Sequence, residues 1–424
     1  MSGALSALRT SVFIGLRQLW ERKLLNGIAV GGVTLGVLVL IAMSAIMEGF
    51  EQKFTQAILK ISPHVILFDT ELHAERPLLE RYERTRVAAA VSHESPPDRQ
   101  ARIKRPHEIV ATLGGVPEVA AAAESIAGMG LLEFGGKTKS IDVRGIEVRA
   151  QDAVTPVSQY VKAGALAALE TETEGLAVGS GVAQELGLSV GDVVHATAPG
   201  GRPLDLKIVA VFEAEIPPVD KTRAYTSLRT AQTLLGRADS ISRIEIRLVD
   251  PDVAPRVNTA LERMFGYDGE SWQESNANFL SIFAMQDMVV SFVIAAILLV
   301  GGFGILAIQI MIVLQKTRDI AILRSVGLRR RDILRVFLLQ GVVIALVGGA
   351  LGDGLGKLAI HYLGQLKVKA EGLVKTDTFL VREDTRFYVY GLAFALLVGV
   401  VASLIPAWRG SRVEPVEVLR GQIG

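Results

Sequence analysis

Residues 288–314 read MVVSFVIAAILLVGGFGILAIQIMIVL, 27 consecutive residues without a charge. A hydrocarbon core about 30 Å thick is crossed by roughly 20 helical residues, so this run has length to spare as a membrane span. Three further uncharged runs follow the same rule: Leu25 to Met47 (23 residues), Phe387 to Ala407 (21) and Val336 to Gly352 (17). The last is short. It is expected to continue to residue 362 past Asp353 and Lys357, which lie four apart on one helix face and can pair or snorkel to the interface. Soluble cores rarely hold uncharged runs this long, and the fold class expected is a membrane α-helical protein with four transmembrane helices.

Charge then orients the spans. With both termini cytoplasmic, the inner segments 1–24, 315–335 and 408–424 hold 14 basic against 5 acidic residues, while everything else holds 31 against 39. This asymmetry predicts a chain that runs in, out, in, out, in. The first run exceeds the 7–15 residues of a secretory h-region and reads as an uncleaved anchor. The expected segments are an interfacial helix over 1–24, spans at 25–47, 288–314, 336–362 and 387–407, an inner loop over 315–335, an outer loop over 363–386 and an inner tail over 408–424. Residues 48–287 form a large outer domain.

The 424 residues carry 45 basic and 44 acidic side chains, a net charge of +1 that excludes a dedicated nucleic-acid binder. The absence of cysteine excludes disulfides, thiolate metal sites and a cysteine nucleophile. In the outer domain His64 to Phe68, Leu206 to Phe212 and the alternating Ser242 to Val249 read as strands. Leu186 to Val194, with turn signals at Gly187 and Gly191-Asp192, reads as another piece of sheet. Val253 to Phe265 reads as an amphipathic helix, which makes the inserted domain α+β. Residues 71–106, rich in Arg, Glu and Pro, read as a long loop or insertion.

Enzyme motifs fail on spacing. Gly136-Lys137-Thr138 lacks the first glycine of a phosphate loop, since Leu131 stands there, and Gly356-Lys357 is followed by Leu358. His107-Glu108 meets Ala111 where a zinc protease needs a second histidine. Gly179-Ser180-Gly181 has Val178 where a nucleophile elbow needs its outer glycine. No catalytic residue, metal ligand or cofactor site is expected in this chain.

What remains lies at the membrane boundaries. Lys316 to Gly327 reads as a short helix on the inner loop that sets Ile320, Leu323 and Val326 beside charges, with Gly327 as its C′ stop. Exposed apolar side chains there suit a docking partner. The first span leaves the membrane with Met43, Met47, Phe50 and Phe54, and the second begins with Phe279, Phe283, Met285 and Met288. Thioethers and aromatic rings form adaptable apolar walls, and these eight are the expected lining of a cavity for lipid tails. Gly27 and Gly31, Gly32 and Gly36, and Gly348, Gly352 and Gly356 fall four apart and are expected to let helices pack closely.

Three segments carry a resemblance to a known family. They are Phe13 to Arg17 with Gly32 to Val37 and Ser44 to Glu51, then Lys316 to Gly341, then Pro406 to Arg409 with Pro415 to Arg420; Gly175 to Val193 adds an element of the outer domain. Together they resemble the permease subunits of bacterial lipoprotein-releasing ABC transporters, the LolC/LolE family, which share the MacB-type permease fold. The resemblance implies one span, a periplasmic domain and three more spans in the bacterial inner membrane. It implies two copies of a cytosolic ABC ATPase that bind ATP and Mg, a second permease subunit that is a homologue or a second copy, lipoprotein cargo drawn from membrane lipids, and a periplasmic lipoprotein carrier. It assigns ATPase coupling to Arg318, Asp319, Ile320, Ala321, Ile322, Leu323 and Arg324. Relative to LolC, the loop Ala198 to Asp205 is short for a carrier-binding hook. A MacB-like mechanotransmitting efflux permease and a non-transporting regulator of a periplasmic hydrolase are the alternatives.

Overall fold

A computed structural model describes residues 23–69, 102–367, 370–371, 375–376 and 379–414. The expected interfacial helix before Lys23, most of the 71–106 insertion and the tail motif after Glu414 lie outside the described residues.

In chain order, α1 (Lys23–Ile61) opens the structure and is followed by β1 (Val65–Phe68), α2 (Pro106–Leu113), β2 (Val119–Phe134) and β3 (Lys137–Ile146). Then come α3 (Val148–Val154), β4 (Val161–Gly164), β5 (Gly175–Gly179), α4 (Ser180–Leu186), β6 (Val193–Thr197) and β7 (Leu204–Phe212). β8 (Arg223–Ser227), α5 (Leu228–Leu234), β9 (Arg243–Leu248), α6 (Ala254–Phe265) and β10 (Asp268–Ser271) complete the inserted region. The chain ends in α7 (Ala277–Gln315), α8 (Thr317–Ser325), α9 (Arg330–Gln365) and α10 (Thr385–Ser411). Two compact units result. One is drawn from Met1–Gln52, Ser281–Val368 and Asp377–Gly424, the other from Lys53–Leu280 and Lys369–Thr376.

Among the described residues, α1, α7, α9 and α10 are the four helices long and apolar enough to cross a membrane. At 39 residues each, α1 and α7 are about 58 Å long, nearly twice the hydrocarbon thickness. Their apolar runs end well inside longer helices because membrane polarity sets hydropathy, not the limit of helical hydrogen bonding. Val33, Val37, Ile41, Leu298, Ile305, Phe337, Ile344 and Ala395 are buried in one apolar cluster.

The glycine stripes divide. An added Cβ would meet Leu298 at 2.9 Å on Gly36 and the Gly301 Cα at 3.6 Å on Gly32, so these two seat α1 on α7. Gly348, Gly352 and Gly356 seat α9 on α1, with added Cβ atoms 2.8 Å from Val33, 2.6 Å from Val37 and 3.0 Å from Ile41. Gly27 and Gly31 differ: among the described residues nothing lies within 4 Å of a Cβ on either. The interval of four residues is shared by all seven, but only tertiary structure says which stripe finds a neighbour. Lys357 forms its ion pair with Glu383 at 3.7 Å, not with Asp353.

In the second unit ten strands form one mixed sheet in the order β10-β1-β9-β2-β3-β8-β5-β7-β4, with β6 pairing β2 and β7. β3–β8 and β5–β7 are parallel and the other pairs antiparallel. β2 is 16 residues long and serves two neighbours on one edge, β9 along Val119–Ser125 and β6 along Leu131–Glu133. The β2–β3 hairpin turns at Gly135-Gly136, both at positive φ (55° and 78°), the backbone that a two-residue turn matched to strand twist requires. Gly136-Lys137-Thr138 is therefore the start of a strand. Leu186 to Val194 is no strand. α4 ends there, Gly187 caps it at φ 77°, and β6 begins only at Val193. Val178, Val182, Leu206, Ile208 and Leu234 are buried under α4 and α5 in the main core of this unit.

Candidate functional site

The inner loop folds as α8, capped by a full Schellman motif: Gly327 N–H donates to Arg324 O at 3.1 Å and Leu328 N–H to Leu323 O at 3.2 Å. Its apolar residues point two ways. Ile320 is 3% exposed and belongs to the buried cluster with Ile312, Val313, Ile333 and Phe337, and Ala321 is buried beside it. Ile320 is thus a core residue and not a docking residue. The exposed face instead carries Arg318, Asp319, Ile322 and Val326, with Ile322 47% and Val326 80% exposed. The helical step of about 100° explains the split, since positions 318, 322 and 326 recur every fourth residue on one side while 320 lies across the helix. Leu323 is half-buried. Arg324 is half-buried and donates through Nη1 to the Val413 carbonyl, which holds the segment after α10 against α8.

The exit of the first span is closed. Within the first unit Met47 is buried and accepts from Gln286 Nε2 at 3.1 Å, while Phe50 meets Phe283 edge to face at 5.7 Å. Within the second unit Phe54, 2% exposed, packs on Phe279 with ring centroids 5.1 Å apart. Phe283 is buried, whereas Met285 and Met288 are 61% and 73% exposed. Two residues along a helix rotate a side chain by about 200°, so Met285 cannot share a face with Phe283. Met43 is half-buried on α1. Met47, Phe50 and Phe283 thus form a packed seam between α1 and α7 in the first unit, Phe54 packs on Phe279 in the second, and Met285 and Met288 are exposed.

Sequence reading missed the ionic clamp beside that seam. Glu48 pairs with Arg382 at 3.0 Å and with Arg386 at 3.3 Å, and Arg382 N–H donates to the Ala45 carbonyl at 2.9 Å. Gly49 makes the approach possible, because a Cβ there would sit 2.8 Å from the backbone of Val381 and Arg382. Arg386 also pairs with Asp384 at 2.7 Å, and that bond holds the Asp384 carboxyl at about 2, below its usual range. Glu48 and Gly49 lie in the segment Ser44 to Glu51 that carries the family resemblance. Nothing in the sequence places Arg382 next to it, more than 300 positions away.

The loop after β6 is tucked in. Gly200 has φ 74°, and a Cβ on Gly201 would collide with the Leu234 carbonyl at 1.7 Å. The loop thus lies against the end of α5. Gly179-Ser180 is a strand-to-helix turn at the end of β5, shaped by close approach to the Asp220 carbonyl, 2.2 Å from an added Cβ.

Residues 27–264 match the family described as MacB-like periplasmic core domain, and residues 291–415 match the family described as FtsX-like permease C-terminal. The lipoprotein-releasing system transmembrane protein LolC of Xylella fastidiosa is 29% identical over 97% of this chain and 98% of its own length. The lipoprotein-releasing system transmembrane protein LolE of Haemophilus influenzae is 26% identical over 92% of each chain. The macrolide export ATP-binding/permease protein MacB of Bdellovibrio bacteriovorus is 22% identical over 96% of this chain and 61% of its own length.

Proposed function

The chain belongs to the family of the MacB-like periplasmic core domain, and on that premise we propose that it is a permease subunit of an ABC transporter that releases lipoproteins from the bacterial inner membrane. The observation that carries this reading is the end-to-end match to LolC, 97% of this chain against 98% of the relative, with MacB more distant at 22% identity. The chain is a multi-pass inner-membrane protein. In this reading both termini are cytoplasmic, a separate cytosolic ATPase binds ATP and Mg, and a second permease subunit completes the membrane assembly. A periplasmic carrier receives the cargo.

The physical task is to move acyl chains. At about 0.8 kcal/mol per CH₂, one chain of roughly 14 methylenes costs on the order of 11 kcal/mol to expose to water, so cargo must be sheltered throughout. The seam of Met47, Phe50 and Phe283 is the apolar surface placed for that shelter, and entry requires α1 and α7 to part along it. Force enters from the cytosolic side. The exposed Arg318, Asp319, Ile322 and Val326 face of α8 is the surface for the ATPase, while buried Ile320 and the bond from Arg324 to Val413 make α8 rigid with the spans and able to pass on a push.

Depletion of the chain in its own bacterium tests the function. Acylated lipoproteins accumulate in the inner membrane, and a benzophenone side chain at Phe50 captures one of them in an ATP-dependent manner. Normal lipoprotein sorting after depletion would end this reading, and capture of phospholipid alone would move the shelter away from the seam.

A further inference from the structure

A cavity lies wholly within the inserted unit. It has a volume of roughly 270 Å³, near the lower end for small-molecule sites. Its lining combines apolar side chains, Phe54, Ile58, Trp272 and Phe279 among others, with Arg144, Arg223 and Arg243. Glu270 also lines it.

The arginines converge because of sheet register. Arg243 on β9 stands opposite Ser125 of β2, Arg144 on β3 stands opposite Ala127 of β2, and Arg223 on β8 stands opposite Asp142 of β3. Paired residues share a face of a sheet, and the two β2 positions between the arginines are small, which leaves room for the guanidinium groups. Arg144 takes most of the available carboxylate. It bonds Asp142 through Nε at 3.2 Å and Glu245 through Nη1 at 3.3 Å, and Glu245 also accepts from Ser125 at 3.1 Å and Gln151 at 2.8 Å.

Arg223 is short of acceptors. Nε and Nη1 of Arg223 are buried without a hydrogen-bond partner, and its ion-pair oxygen on Asp142 is 3.8 Å away, beyond a normal hydrogen bond. Arg243 is half-buried, and its pKa is lowered by burial and then by the repulsion of Arg144 and Arg223. Buried donors of this kind are normally satisfied, and a forked guanidinium is shaped for a two-oxygen acceptor. We propose that this cavity binds an anionic amphiphile, a carboxylate or phosphate head held by Arg223 and Arg243 with its apolar tail against Phe54, Ile58, Trp272 and Phe279.

The test uses the full chain held in amphipol with Trp20 and Trp408 replaced by Phe, so that emission reports Trp272 alone. Octanoate and octyl phosphate shift that emission saturably, octanol and inorganic phosphate each bind at least tenfold more weakly, and Arg223→Gln weakens both anionic probes at least tenfold. Arg223→Gln removes no short hydrogen bond, and the comparison of probes on the unaltered arginines does not depend on any variant folding. Octanol equal to octanoate would remove the arginines from recognition, inorganic phosphate equal to octyl phosphate would remove the tail, and no saturable shift would leave the arginines satisfied by water. Each of these overturns the proposal, and none touches the lipoprotein-release reading.

Discussion

Gln309 Nε2 donates to Ser403 Oγ at 3.0 Å, joining α7 to α10 in the middle of two uncharged spans. The same amide reaches the Phe337 carbonyl of α9 at 3.4 Å, and Ser403 Oγ donates to Gly399 O at 2.6 Å. One side chain thereby links three membrane helices. Inter-helix polar bonds in a membrane are worth about 0.6 kcal/mol on average and up to about 1.7, so Ser403→Ala lowers stability by about 1 kcal/mol. Gly341→Ala costs more, because its Cβ would lie 1.7 Å from Ser403 Oγ and 2.7 Å from Gly399 O; overpacking costs about 1–3 kcal/mol. Thermal unfolding in detergent ranks the two, and equal midpoints would contradict the packing described.

Under the proposed function, the two faces of α8 separate folding from coupling. Ile320→Asp places an unpaired charge in the buried cluster and destabilises the protein by about 3 kcal/mol or more. Ile322→Asp, on an exposed face, changes stability by less than about 0.5 kcal/mol yet uncouples ATP hydrolysis from lipoprotein release. Melting curves and a reconstituted release assay check both. Full release by the Ile322 variant moves the ATPase contact elsewhere.

Glycine spacing gives a contrast within α1 and α9. Gly352→Ala drives a Cβ to 2.6 Å from Val37 and 2.9 Å from the Thr34 carbonyl and costs about 1–3 kcal/mol. Gly31→Ala meets nothing among the described residues and is neutral or stabilising by up to about 1 kcal/mol. Reversal of that order in denaturation of the single chain would show that the stripe on α9 is not seated on α1.

His64 sets a pH response in the inserted unit. It is 6% exposed, and its Nδ1 accepts the Leu248 N–H at 3.0 Å. Burial and then the nearby Arg247 lower its pKa. A depressed histidine is neutral in the fold and binds a proton more readily when unfolded, so its stabilising effect is complete above the unfolded value of about 6.5 and is lost as pH falls towards the folded value. Protonation also sets an Nδ1–H against the Leu248 N–H. His64→Asn keeps an acceptor without titration and flattens the dependence of the melting temperature between about pH 7 and pH 5. An unchanged slope in that variant assigns the response to another group.

The four spans and the α+β character of the inserted region were legible because both rest on local pattern: uncharged length for a helix in lipid, alternation for the strand Arg243 to Leu248. Family resemblance was legible in the segments around Glu48 and Lys316. The hairpin at Gly135-Gly136 is masked in the sequence because Lys137 and Thr138, which begin its second strand, continue Gly136 in the pattern of a phosphate-loop tail. Helix α4 was missed because seven residues hold too few turns for a period to show.

By itself the sequence determined how many times the chain crosses the bilayer and which loops carry the positive charge, since hydropathy and charge are sums over neighbours along the chain. Which side of a helix is covered depends instead on partners far along it. That Ile320 is core while Ile322 is surface, that Gly31 is bare while Gly352 is filled, that Met47 is sealed by Gln286, and that three arginines from three strands meet over one cavity were decided only when tertiary structure brought those distant segments together.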